Sequence, residues 1–90
     1  MLTAIFSTQF RKDYKLCQKR GFNMQSIATV MHDLESEAPL QQKHREHLLQ
    51  GDFVGYLECH IAPDWLLIYK IDQEEKEIYF SRTGTHSDLF

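Results

Sequence analysis

Leu2 to Phe6 is apolar enough, with Thr3 its one polar residue, to predict a short first strand. Ser7 or Thr8 can cap a helix that runs to about Arg20, and Gly21 stands in the position past the helix end that favours glycine. On that helix Phe10, Tyr14 and Cys17 fall at i, i+4 and i+7, and basic residues occupy the remaining arc. A second helix starts near Asn23 and buries Ile27, Val30, Met31 and Leu34 at helical spacing. Pro39 closes it by about Glu37, because proline pushes the residue before it out of the helical region. Two short helices in succession make a helical hairpin.

Pro39 to Asp52 shows no period and reads as a loop, long for so small a chain. Phe53 to Ile61 then alternates, with Phe53, Gly55, Leu57, Cys59 and Ile61 on one face and Val54, Tyr56, Glu58 and His60 on the other, mostly polar one. Ala62-Pro63-Asp64 makes a turn. Trp65 to Ile71 is apolar on both parities until Lys70, as in a central strand covered on both sides. Asp72 to Lys76 is a charged turn, and Glu77 to Arg82 is the next strand. These runs predict a three-strand antiparallel meander packed on the two helices, with the first strand extending the sheet: an α+β fold. In the last strand Ile78, Phe80 and Arg82 share a parity, so strict alternation sends Arg82 to the apolar side. A bulge, a twist or a reversed face would each relieve that conflict. No repeat, low-complexity tract or linker divides the chain, so residues 1–90 read as a single domain.

A length of 90 residues allows one modest core. The longest apolar run, Trp65 to Tyr69, is far short of the roughly 20 residues of a membrane span. Met1 to Phe6 lacks the basic flank and apolar length of a signal peptide. Cys17 and Cys59 are too few for a disulfide scaffold or a thiolate zinc site, so a reduced, cytoplasmic setting is expected. The net charge of −3 argues against a free-standing nucleic-acid binder, but its distribution is uneven. Arg11, Lys12, Lys15, Lys19 and Arg20 form a basic cluster on the first helix, opposed locally by Asp13 alone. Most of the acids lie in the second half of the chain.

The five histidines differ in setting. His32 lies one step off the apolar stripe of the second helix and is expected to be solvated. His44 sits among loop charges and is expected to be exposed and inert. His60 ends one strand, Asp64 and Trp65 begin the next, and Arg82 and His86 end the third. Antiparallel order brings these to one edge of the sheet, and His47, on the long loop, is free to join them. Such a set suits phosphodiester cleavage in RNA, whose 2′-hydroxyl is the nucleophile. Imidazoles move protons near neutral pH, Asp64 accepts a proton or orients a histidine, and Arg82 offers a forked donor set to phosphate. Trp65 and Phe90 are candidates for stacking bases. His60, Asp64 and His86 as metal ligands around an open position are a less favoured alternative, since they lack a recognisable ligand motif.

The segments His47-Leu48-Leu49-Gln50-Gly51, Gly55-Tyr56, His60-Ile61-Ala62-Pro63-Asp64-Trp65 and Arg82-Thr83-Gly84-Thr85-His86-Ser87-Asp88-Leu89-Phe90 resemble the YafQ branch of the RelE/ParE toxin superfamily. The resemblance spans nearly the whole chain and implies the RelE-like fold. It also implies an endoribonuclease toxin of a type II toxin–antitoxin pair, which cuts mRNA in the A site of the 70S ribosome. Carried over by position, the catalytic set is His47, His60, Asp64, Arg82 and His86, supported by Trp65 and Phe90, with no metal and no cofactor. His86 is then the general acid and His60 or Asp64 the base. The implied partners are a cognate antitoxin, the ribosome with its mRNA, and promoter DNA through the antitoxin only. The basic cluster from Arg11 to Arg20 becomes a candidate contact to ribosomal RNA phosphates. Non-catalytic members of the superfamily that poison DNA gyrase are the alternative; they would not need histidines clustered beside an arginine.

Overall fold

The computed structural model describes residues 1–90. A strand β1 (Thr3–Phe6) is followed by helices α1 (Thr8–Lys19) and α2 (Met24–Glu35). After a linking stretch come β2 (His47–Leu48), β3 (Leu57–Ala62), β4 (Trp65–Asp72), β5 (Glu77–Gly84) and a C-terminal turn of helix, α3 (His86–Leu89). The sheet runs β1-β5-β4-β3-β2, with β1 parallel to β5 and every other pair antiparallel.

Both long helices begin where capping chemistry places them. The Ser7 hydroxyl accepts the Phe10 N–H at 2.8 Å and donates to the Ser81 carbonyl at 2.7 Å, which ties the start of α1 to β5. Asn23 caps α2 by accepting the Gln25 N–H. Gly21, at φ 79°, takes the left-handed turn between them that a side chain would resist. Phe10 and Cys17 from α1, and Ile27, Val30, Met31 and Leu34 from α2, join Leu67, Tyr69, Ile78 and Phe80 of the sheet in the main core. Tyr14 packs at its margin.

The opposite face of the sheet is also covered, by a smaller set. Leu66, Ile68 and Leu89 are buried there, with Leu49, Phe53 and Tyr56 packed against them. This two-sided burial explains why β4 is apolar on both parities. This second face carries the site.

Two irregularities aim its residues. The pairing of β4 with β5 slips between Ile68 and Tyr69: Phe80 faces Tyr69 and Arg82 faces Ile68, with Ser81 as the extra residue. The bulge resolves the parity conflict at Arg82. Thr83 takes the inward place instead, and Arg82 falls on the face of Ile68. A second slip, between His60 and Ala62, closes the turn into β4 and leaves His60 paired with Leu66.

The stretch before β3 departs from the predicted pattern. The strand expected over Phe53 to Ile61 starts only at Leu57, because Gly51 (φ 68°) and Gly55 (φ 90°) bend the chain into a turn at Gly51–Phe53. The expected loop from Pro39 holds a turn of 3-10 helix at Gln42–His44 and the short strand β2, whose two residues are too few to show a period. The buried Tyr69 hydroxyl donates to Glu46, anchoring the approach to β2 on the central strand.

Candidate functional site

Three imidazoles stand in a row on the second face. His47 in β2 lies opposite Glu58 in β3, His60 follows Glu58 on the same side of that strand, and His86 opens α3. The ring centres of His47 and His60 are 6.3 Å apart, and those of His60 and His86 are 5.9 Å apart. Meander topology brings the end of β3, the start of β4 and the residues after β5 together, as expected from the strand order.

Each ring has its own neighbour. His86 Nδ1 is 2.5 Å from Asp64 Oδ1, which also accepts the His86 backbone N–H at 3.0 Å. An ionised carboxylate only accepts, so Nδ1 carries the hydrogen and Nε2 is left to react. These backbone and side-chain bonds from His86 hold the Asp64 carboxyl below its ordinary range. His60 is half-buried, and its Nδ1 is buried without any partner. Such an orphan nitrogen is costly, and being shut off from solvent it leaves Nε2 as the ring atom that can meet a substrate. His47 Nδ1 meets the Arg45 carbonyl at 2.9 Å, and its Nε2 lies 3.2 Å from Glu58 Oε1.

Arg82 sits on the site face by register, but its guanidinium is committed elsewhere. Nε donates to Asp13 Oδ2 at 2.7 Å and Nη2 to Oδ1 at 3.3 Å. Asp13, buried on α1, also accepts the Thr83 N–H and the Gln9 amide. None of the three histidines bonds to Arg82, and its Nη1 is unengaged. The other expected residues divide. Trp65, expected to stack bases, is only 5% exposed; it packs edge-on to Phe22 and donates its indole N–H to Thr83 Oγ1. It is a core residue, and its inward parity opposite Ala62 leaves no ring face for a nucleotide. Phe90 is 64% exposed and rests edge-on against Phe53, with most of its ring free.

The basic cluster of α1 divides too. Lys12, Lys15 and Lys19 are exposed and make no ion pair, while Arg11 lies over the Phe6 ring. Arg20 instead grips Asp88 with two hydrogen bonds, at 2.6 and 3.1 Å. Asp88 in turn closes a capping box with Thr85 at the start of α3. The Arg20 guanidinium, with the Thr85 N–H behind it, holds the Asp88 carboxyl well below the usual range.

His32 is exposed on α2, as expected. His44 is not inert: it is half-buried, and its Nδ1–H donates to the His60 carbonyl at 2.8 Å. With Lys43, Arg45 and His60 it lines a cavity of about 490 Å³ beside the row. The expected alternative of a metal set on His60, Asp64 and His86 is not assembled, for nowhere do three His, Cys, Asp or Glu side chains converge in metal-binding geometry. Burial pushes the Cys59 thiol up to about 12, which makes it a poor nucleophile. Glu58 escaped the sequence reading of the site. Its signal was its position two residues before His60 on the polar side of β3.

Residues 2–90 match the family model described as the bacterial toxin YafQ of a type II toxin–antitoxin system. The chain belongs to the YafQ toxin family. It is 43% identical over 86 residues to the mRNA interferase toxin YafQ of Escherichia coli K12, covering 94% of this chain and 91% of that protein. The crystal structure of YafQ from E. coli BL21(DE3) superposes with a TM-score of 0.93 at 40% identity, covering 100% of this chain and 99% of the other. A YafQ chain crystallised with DinJ from E. coli superposes with a TM-score of 0.90 at 41% identity, over 100% and 99% of the two chains. The YafQ match thus reaches from β1 through α3 and takes in every residue of the histidine row.

Proposed function

We propose that this YafQ-family chain is an endoribonuclease toxin that cuts mRNA in the ribosomal A site without a metal ion, and so stops translation. The observation that carries this reading is the row of three imidazoles, one of them aligned by a carboxylate. The 2′-oxygen attacks phosphorus as its proton passes to a base; the P–O5′ bond breaks, and the departing oxygen takes a proton from an acid. His86 suits the acid, because Asp64 holds Nδ1–H and stabilises the ring while Nε2–H is presented to the leaving oxygen. Commitment of Asp64 to His86 leaves His60 as the base, acting through Nε2 because its Nδ1 is shut off from solvent. Arg82 offers its remaining Nη1 donor to a phosphate oxygen from its mount on Asp13. Phe90 offers a free ring on which a base can stack.

The ribosome presents the mRNA, so the chain itself need not be basic throughout. Arg11, Lys12, Lys15 and Lys19 supply the exposed positive charge for ribosomal RNA. The solved complex of a relative with DinJ supports an antitoxin partner for this chain, through which promoter DNA would be bound. No helix of the chain is long and apolar enough to cross a membrane, and a ribosomal substrate places the activity in the cytoplasm. The test is the chemistry of the cut ends. Purified toxin added to programmed ribosomes should leave 2′,3′-cyclic or 3′-phosphate ends. Products with only 3′-hydroxyl ends would overturn the mechanism.

A further inference from the structure

We propose that the cavity beside Lys43, His44 and Arg45 is a binding site for the message, taking the phosphate on the 5′ side of the nucleotide whose 2′-oxygen attacks. This deepens the ribonuclease reading and rests on it. The turn of 3-10 helix at Gln42–His44 ends at Arg45, whose left-handed backbone (φ 49°) swings the chain toward β2. Lys43, His44 and Arg45 are thereby laid against the end of β3. His44 fastens them there, because its Nδ1–H donates to the His60 carbonyl at 2.8 Å.

Charge selects the ligand. The chain carries −3 in all, yet the lining of this cavity holds two cations, Lys43 and Arg45, and no acid. Both cations are exposed, and neither enters an ion pair. The acids next to the lining in sequence are already engaged: Glu46 accepts the Tyr69 hydroxyl, and Asp64 holds His86. Two unpaired cations at the wall of one cleft favour an anion inside it, and an arginine fork beside a lysine suits phosphate oxygens. A volume of about 490 Å³ lies within the roughly 300–1,000 Å³ of pockets that enclose small ligands, and is wide enough for a nucleotide.

Position selects the phosphate. His60 lines the cavity, whereas His86 and Asp64 do not. An occupant therefore lies on the side of the base, away from the acid. In attack by the 2′-oxygen the base serves the nucleotide 5′ of the cut, and the acid serves the one 3′ of it. The strand that runs from His60 into the cavity is then the 5′ one, and the first charge along it is that nucleotide's own 5′-phosphate. A smaller cavity of about 250 Å³ shares Lys43 and His44 and reaches Asn23, Ser26 and Thr29 on the α2 side, uncharged polar groups that can follow the strand further.

The test is affinity for ribosomes programmed with a message that carries 2′-deoxyribose throughout the A-site codon, so that nothing is cut. Single uncharged methylphosphonates replace each phosphate in and beside that codon in turn, and the cut is mapped separately on the unmodified message. Wild type should lose at least about tenfold in affinity at one linkage, the one 5′ of the nucleotide that carries the attacking oxygen. The Lys43→Gln/Arg45→Gln variant should bind the unsubstituted message as weakly, and lose no more than about twofold further at that linkage, as for partners in one contact. Wild-type affinity that is insensitive at that linkage would overturn the proposal, and needs no variant to fold. So would losses from variant and methylphosphonate that multiply. A variant weakened equally on ribosomes without message would assign the two cations to ribosomal RNA and overturn it too. A wild type that cuts no message, yet shows the variant-dependent loss at one linkage, would support the phosphate site and overturn the ribonuclease reading instead.

Discussion

At the scale of single residues, neighbours rather than residue type separate the three histidines. His86 has an exposed carboxylate and a free Nε2, His60 has an orphan Nδ1, and His47 lies against a buried acid. Asp64→Asn should keep the backbone bond to His86 in place while weakening support for the charged ring. We expect kcat to fall about a hundredfold with KM little changed, read in a single-turnover cleavage assay. Equal loss in KM would mean that Asp64 serves binding instead. Sequence pattern located these residues because strand ends in a meander must meet. It could not show that Arg82 rests on Asp13, a pairing between residues 69 positions apart, or that Trp65 turns inward. Both depend on the Ser81 bulge and the turn into β4, which alternation does not encode.

Among the elements, α3 is the weakest and the most consequential. Four residues cannot form a stable helix alone, so other contacts must hold His86 where it stands. The Thr85–Asp88 capping box and the two bonds from Arg20 do this, and Gly84 makes room, since a Cβ there would lie 2.9 Å from Asp88 Oδ2. A carboxyl held below its ordinary range stabilises the fold above the unfolded value, about 4, and that contribution is lost as pH falls through the lower folded value. Asp88→Asn should therefore lower the denaturation midpoint at neutral pH. The gap to wild type should begin to close below about pH 4 and vanish only in stronger acid. A gap that stays constant from pH 7 into strong acid would contradict the clamp. The two long helices were legible because caps, apolar stripes and Gly21 all agree. The short β2 was not, since its place comes from pairing with β3 and from the Glu46–Tyr69 contact.

For the whole molecule, the sheet divides the labour between its faces. One carries the helices and the main core; the other carries a small apolar floor of Leu66, Ile68 and Leu89 under the histidine row. A short chain with few residues to spare thereby keeps a stable core separate from a polar, half-exposed site. The α+β class and the gathering of His60, Asp64 and His86 at one edge follow from the order of strands, whereas the second covered face requires the folded C-terminus. The account stands on His86 moving a proton during RNA cleavage. Its most direct test is induction of the wild-type and His86→Ala chains in growing cells, followed by transcriptome-wide mapping of mRNA 5′ ends. Wild type should produce new ends in phase with codons, and His86→Ala, folded and equally abundant, should produce almost none. Growth arrest by His86→Ala with the same pattern of ends, or with no cuts in either strain, would contradict it.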